Sequence, residues 1–325
     1  MNCCLQSIYS TTGAIEMIFA LGAFDGFHLG HQRLLETAKE RAAKTGTGWG
    51  VITFEGHPQL VFNKDSFKLL FTPEERDMLI SYLGIPAADK VPFNITLADM
   101  LPADFLDHIA KRVSIDGLVI GENFRFGRAR IGTPELLSEL CLERGWSLDV
   151  IGSYRLNGGI VSSTAVREAV LRGQVESASE MLGYPFMIQS RVIKGDGRGR
   201  VLGFPTANLS VRPNKIYPAR GSYAGISQIN GKWYPVALNI GYNPTFEGSR
   251  GLHCEAHIVG FEGDLYDKTL TLHIVSRNRE EMKFAGADAL VQQLKKDIRH
   301  AKAKAAEYIK NNGEFVEKFG RIFDI

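Results

Sequence analysis

A change of hydrophobic period within residues 15–45 constrains this chain more than any other feature. Ile15 to Leu21 is an apolar run of strand length, whereas Leu34, Leu35, Ala38 and Ala42 recur at the spacing of an amphipathic helix. Gly22, Gly26 and Gly30 lie between or at the edge of these patterns, where they let the backbone turn sharply and come close to a ligand. The stretch therefore reads as strand, tight turn and helix. His28 and His31 stand three apart at the helix start, so their rings can address one volume. A helix start offers unpaired N–H groups and the positive end of the macrodipole, an anion seat. Two imidazoles added there can donate to a polyphosphate and stabilise charge on a leaving pyrophosphate. The plain alternative makes them a turn residue and a cap, or ligands of a structural metal.

The ten residues Gly22-Ala-Phe24-Asp25-Gly26-Phe-His28-Leu-Gly-His31 resemble the Gly-x-Phe-Asp-Gly-x-His-x-Gly-His motif of nucleotidyltransferases that adenylylate small phosphorylated substrates. The resemblance is strongest to the bacterial bifunctional riboflavin kinase/FMN adenylyltransferases. It implies nucleotide binding by Gly22, Phe24, Asp25, Gly26, His28 and His31. Ala23 departs from the pattern, since that family usually has Asn there, and the departure removes a side-chain contact to the nucleotide.

A chain of 325 residues is more than one core usually spans. The expected division is an extension over residues 1–14, an adenylyltransferase domain over 15–184 and a kinase domain over 185–325. A formal charge of +2 supplies no cationic stripe for nucleic acid, so phosphate binding must be local. Cys3, Cys4, Cys141 and Cys254 form no Cys-x-x-Cys pair and no zinc spacing. Neither Lys nor Arg precedes Arg33, and no apolar run reaches the roughly 18 residues of a membrane span. A reduced, cytoplasmic protein without membrane or nucleic-acid partners is expected, its oligomeric state left open.

From residue 15 to about 184, strand-like and helix-like segments alternate. Thr72-Pro73-Glu74-Glu75 carries a capping box with Pro at the first helical position, and Thr133 and Gly145 read as a cap and a stop. Strands separated by single helices predict an α/β doubly wound parallel sheet, Rossmann-like, with ligands at the carboxyl ends of the strands. The loops there hold the chemistry-bearing residues. Asn123 offers an amide for a base or ribose edge, and Phe124 and Phe126 offer flat faces. Ser162, Ser163 and Thr164 open another helix with hydroxyl and backbone donors, Arg167 following one turn later. Taken singly, each has the plain reading of an ordinary capped helix. Their order and approximate spacing are similar to the later nucleotide motifs of the same family. Phe54-Glu-Gly-His57-Pro58 resembles its Phe-x-Pro-His-Pro, which implies a flavin side formed by Phe54, His57 and Pro58 with Phe124 and Phe126.

After Pro185 short Val-, Ile-, Tyr- and Thr-rich segments alternate with turn residues, predicting an antiparallel β-barrel. Leu290, Leu294, Ile298, Ala301, Ala305 and Ile309 then mark one face of a helix ending at Asn311-Asn312-Gly313. The glycines at Gly195, Gly197, Gly199 and Gly203 do not form Gly-x-Gly-x-x-Gly, and Pro205 blocks the helix such a fingerprint opens. A loop over phosphates and a flexible connection both fit. Thr206 and Asn208 can place two oxygens near a hard cation such as Mg²⁺. Glu255 lies on a strand where a carboxylate can accept the proton of an alcohol during phosphoryl transfer.

Gly-Arg-Val-Leu-Gly203-Phe204-Pro205-Thr206-Ala-Asn208, Asn239-Ile-Gly-Tyr-Asn-Pro-Thr and Glu255-Ala-His are similar to riboflavin kinase motifs. That resemblance implies Mg²⁺–ATP binding by Thr206 and Asn208, Glu255 as base, and Arg279, within Arg-Glu-Glu-Met-Lys-Phe, closing the flavin site. The implied function is phosphorylation of riboflavin to FMN followed by adenylylation of FMN to FAD, with ATP consumed in both steps. Two alternatives are a flavin-binding carrier or regulator with a lapsed adenylylation site, and an enzyme that adenylylates another phosphorylated substrate.

Overall fold

The computed structural model describes residues 16–63, 66–195, 197–244 and 250–322. Residues 1–14, expected as an extension, lie outside them. The chain forms two compact units, Met1–Leu69 with Leu79–Ser162, and Leu70–Met78 with Ser163–Ile325.

In the first unit β1 (Met17–Leu21), α1 (Leu29–Thr45), β2 (Gly48–Glu55) and α2 (Pro58–Phe62) lead to α3 (Pro73–Tyr82), whose opening turns count with the second unit. There follow β3 (Ala88–Pro92), α4 (Ile95–Ala98), α5 (Pro102–Ala110), β4 (Ile115–Gly121), α6 (Pro134–Glu143) and β5 (Ser147–Ile151). A small hairpin of β6 (Arg155–Leu156) and β7 (Gly159–Ile160) closes the unit. The five main strands are parallel in the order β3-β2-β1-β4-β5, the expected doubly wound sheet. Strand order reverses between β1 and β4, so their carboxyl ends flank the crevice where such sheets bind ligands. Phe19, Ile52, Leu106, Ile120 and Leu137 build the core. Thr133 caps α6 by accepting from Leu136 N–H at 3.3 Å, and Gly145 (φ 71°) ends it as expected.

The second unit continues with α7 (Ser163–Leu171), α8 (Val175–Leu182), β8 (Phe186–Ile193), the single turn α9 (Arg198–Val201), β9 (Ala207–Leu209), β10 (Gly221–Ile229) and β11 (Lys232–Pro244). Then come β12 (Arg250–Ile258), β13 (Thr269–Glu280), α10 (Ala287–Asn311) and α11 (Gly313–Ile322). The strands form a closed antiparallel barrel, β10-β11-β12-β9-β8-β13, against which α10 packs. Sequence texture changes near residue 184, whereas packing groups α7 and α8 with the barrel. Arg277 on β13 supplies one reason: its backbone N–H donates to Glu176 on α8 (2.9 Å), and its guanidinium donates to the carbonyls of Arg172 (3.4 Å) and Arg220 (2.8 Å).

Residues 70–78 join this unit through the predicted capping box. Thr72 N–H donates to Glu75 Oε2 at 2.8 Å and Glu75 N–H to Thr72 Oγ1 at 3.3 Å. The same carboxylate accepts from Lys215 Nζ at 2.6 Å and, through Oε1, from Gln189 N–H at 2.6 Å. Both charged side chains are fully buried, and Lys215 Nζ also lies about 5 Å from the ring centroids of Phe71 and Phe186.

Candidate active sites

The first site grows from the turn between β1 and α1. Gly26 (φ 92°) reverses the chain, but the bulky Phe24 (φ 46°) and Phe27 (φ 39°) also occupy the left-handed region, a strain that bulky residues rarely carry. Their stacked rings, 5.3 Å apart, are fully buried and hold the turn from beneath. Gln32 Nε2 donates to Phe27 O at 2.8 Å, and Thr53 Oγ1 donates to Ala23 O at 3.2 Å. A Cβ at Gly30 would press on the His28 ring at 3.1 Å, whereas at Gly22 it would meet only ordinary contacts. Of the two, Gly30 is the one where space is tight.

His28 caps α1, its Nδ1 accepting from His31 N–H at 3.3 Å. The two imidazoles are stacked with centroids 3.7 Å apart. Burial pushes the His28 pKa down to about 4, so it is neutral at pH 7. With Nδ1 an acceptor, the proton sits on Nε2, which makes His28 a neutral donor. His57, expected on a flavin side, lies with Nε2 3.9 Å from the buried Asp25 carboxylate. Its Nδ1 caps α2 by accepting from Gln59 N–H at 3.1 Å, its ring stacks on Phe67, and Pro58 is the first residue of that helix. After β4, Asn123 is exposed with its amide 3.5 Å from Ser153 Oγ. Phe124 is half-buried, but Phe126 and Phe54 are core side chains, Phe126 lying 5.5 Å from Phe105 and Phe54 5.2 Å from Phe93. Phe124 is the more exposed of the three. Tyr154, which the sequence did not single out, borders the histidine turn beside Gly30.

Ser162 closes the first unit and Ser163 opens α7 in the second. Within α7, Arg167 Nη1 donates to Ser163 O at 3.3 Å, Thr164 is exposed, and Val166 and Val170 anchor the helix.

The barrel site is built by register. Asn208 on β9 and Asn239 on β11 lie directly opposite Glu255 on β12, so the three side chains share a face. Alternation gives His253 and His257 to that face and Cys254 and Ala256 to the buried one. Burial, with the nearby Glu255 charge, pushes the Cys254 thiol up to about 12. Glu255, Asn208, Asn239 and Thr206 line a cavity of about 300 Å³, whose apolar side comes from Phe284 and Leu294. A second cavity of about 520 Å³, bordered by Arg200, Phe261 and Tyr266, shares Thr206 and Gly197 with the first.

The glycine run divides its tasks. A Cβ at Gly195 would lie 2.1 Å from Asn208 Nδ2, and one at Gly199 would lie 2.4 Å from Phe204 O. Gly197 (φ 70°) and Gly203 (φ 83°) supply left-handed turns around α9. His257 Nδ1 lies 2.8 Å from Pro205 O, tying the loop to β12. Arg279 borders the cavity, but its guanidinium is committed to Asp297 on α10 at 2.7 Å and 3.2 Å. Sequence reading treated α10 as one apolar face and missed the buried Asp297, although a carboxylate amid that periodicity was the available signal. Among the described residues no group of three His, Cys, Asp or Glu forms a metal cluster. Thr206 and Asn208 each bring a side-chain oxygen to the wall of the smaller cavity, the donor type that a hard cation such as Mg²⁺ takes.

A riboflavin kinase family model matches residues 182–305, and an FAD synthetase model matches residues 11–165. The bifunctional riboflavin kinase/FMN adenylyltransferase of Bacillus subtilis is 35% identical over 91% of this chain and 93% of its own. That of Listeria monocytogenes is 32% identical over 89% of this chain and 92% of its own. A solved structure from Streptococcus pneumoniae, called a macrolide-efflux protein, superposes with a TM-score of 0.81 at 29% identity over 92% of this chain and 96% of that one. Among the described residues no helix is long and apolar enough to cross a membrane. The chain belongs to the family of bifunctional riboflavin kinase/FMN adenylyltransferases.

Proposed function

We propose that the barrel cavities carry the kinase reaction and the histidine turn the adenylyl transfer of this bifunctional enzyme, which makes FMN from riboflavin and FAD from FMN, each with ATP. The carrier reading is not favoured, because both family models match. The observation that carries the assignment is Thr206 in the shared wall of two cavities, with Asn208, Glu255 and Asn239 abreast beside it. The cavity with an apolar α10 side and a polar strand side suits a flat ring system bearing a polyol. The other cavity suits ATP, its phosphates under Gly195, Gly197, Gly199 and Gly203 and beside Phe204 and Pro205. Glu255 takes the proton of the terminal ribityl hydroxyl as its oxygen bonds to the γ-phosphorus and the bond to ADP breaks. Thr206 and Asn208 would hold Mg²⁺, which would neutralise charge on the phosphates. Arg279 acts through Asp297, keeping α10 against the flavin cavity.

For the second reaction an FMN phosphate oxygen bonds to the α-phosphorus of ATP and pyrophosphate leaves. The nucleophile is already anionic, so alignment and charge stabilisation suffice. His28 and His31 donate to the phosphates, with Gly22, Phe24, Asp25 and Gly26 shaping the turn. Asn123 reads the nucleoside and Phe124 offers a face to a ring. The family pattern assigns Ser162, Ser163, Thr164 and Arg167 to phosphate oxygens. A cytoplasmic setting, where riboflavin and ATP are available to one enzyme, completes the reading.

Magnesium titration tests the barrel assignment. Thr206→Ala or Asn208→Ala should raise the Mg²⁺ concentration for half-maximal FMN formation by about tenfold, equivalent to loss of one good ligand interaction. An unchanged requirement in both variants would remove these residues from the cation site.

A further inference from the structure

Asn239 stands directly opposite Glu255, and His253 is the diagonal neighbour two residues earlier on the same face of β12. All three line the smaller cavity. The side-chain nitrogen of Asn239 lies 3.4 Å from His253 Nε2. Room for the ring comes from Gly241, where a Cβ would lie 2.7 Å from His253 Cε1 and 2.9 Å from Glu281 Oε1. Glu281 Oε1 and the Cε1–Nε2 side of the ring thus both border Gly241. On the other edge, Nδ1 is buried without a hydrogen-bond partner.

These positions decide where the ring proton rests. If the amide nitrogen donates to Nε2, the proton is on Nδ1 and becomes a buried N–H with no acceptor. If the amide turns over and its oxygen accepts from Nε2–H, the bare group is a lone pair. An orphaned buried N–H is the costlier and rarer defect of the two. Turning the amide exchanges its oxygen and nitrogen with little change in shape.

We propose that His253 is a positioning residue for phosphoryl transfer: as the Nε2–H tautomer it holds the Asn239 oxygen, so that the Asn239 NH₂ faces the cavity beside Glu255. The inference rests on Glu255 being the base. An NH₂ there donates to the oxygen of the substrate alcohol, which leaves the alcohol proton directed at Glu255. Without His253 the amide can present its oxygen instead, an acceptor that competes with Glu255 for that proton.

The test uses the full chain labelled with ¹⁵N-histidine. Two-bond proton–nitrogen spectra, with His253→Leu identifying the signal by its loss, should show a neutral ring whose unprotonated nitrogen is Nδ1. A proton on Nδ1 overturns the proposal. In steady state, His253→Leu should lower kcat for riboflavin phosphorylation about tenfold with KM for ATP unchanged, the size expected for one lost orienting hydrogen bond. His253→Gln, which keeps a donor, should recover most of the loss. Gly241→Ala, which displaces the ring without altering its chemistry, should reproduce the loss. Circular dichroism on the same samples confirms the fold. Wild-type kcat in His253→Leu overturns the proposal. Wild-type kcat in Glu255→Gln would sink the base assignment and with it the use of the amide, while the tautomer is read without turnover.

Discussion

Single residues in this chain are fixed by what their immediate neighbours leave them able to do. His28 and His273 are both buried and both held neutral, burial pushing their pKa values down to about 4 and about 3. His273 lies among Trp233, Phe315 and Phe319, with neither ring nitrogen hydrogen-bonded. Unfolding exposes both imidazoles, which then bind protons near pH 6.5. Stability present above that pH should therefore decline as pH falls toward 4 for His28 and further toward 3 for His273, by a few kcal/mol in total on the order of magnitude. Chemical denaturation across pH 7 to 4 checks this, and His273→Phe should flatten part of the slope. A flat profile in the parent protein would contradict neutral burial. Gly195 makes a second residue-scale prediction. A Cβ there collides with the Asn208 amide, so Gly195→Ala should lower FMN formation by more than tenfold, the cost of displacing a ligand by about an ångström. The glycines were visible in the sequence, but their division into close approach and left-handed turn was not, because it depends on what faces each one.

At the scale of elements, periodicity and capping carried the reading far. The strand before Gly22, the amphipathic helix after it, the capping box at Thr72 and the stop at Asn312 all appear where local chemistry put them. What escaped was short or depended on distant partners. The hairpin of β6 and β7 and the one-turn α9 are too brief for a period to register, while the ten-residue α11, with Phe315 and Phe319 four apart, lies beyond the last marked residue of the long helix face. Among the aromatic candidates, Phe54 and Phe126 were legible as aromatics but not as core, since nothing local distinguishes a ring that faces a ligand from one that faces Phe93 or Phe105. Docking of α11 is checkable by Phe319→Ala. Its side chain is fully buried against His273 and Phe315, so truncation should cost about 3–5 kcal/mol and lower the melting temperature. A loss below about 1 kcal/mol would mean that the helix is loosely held.

Across the whole molecule, one chain carries two chemistries through two compact units, and the second recruits residues 70–78 from within the first half of the sequence. The capping-box Glu75 is also the buried partner of Lys215, a pairing no local pattern can announce because 140 residues separate them. Glu75→Ala should destabilise by about 3–5 kcal/mol by stranding a buried charge, and Glu75→Met with Lys215→Met should restore much of it. Denaturant midpoints of the single and double variants decide between a stranded charge and simple lost packing. The division of labour itself is read most directly from the products that riboflavin or FMN yields with ATP and Mg²⁺, separated by chromatography. His28→Ala should accumulate FMN from riboflavin without FAD, while Glu255→Ala should make no FMN but convert supplied FMN to FAD. Equal loss of both products in either variant would contradict two separate sites.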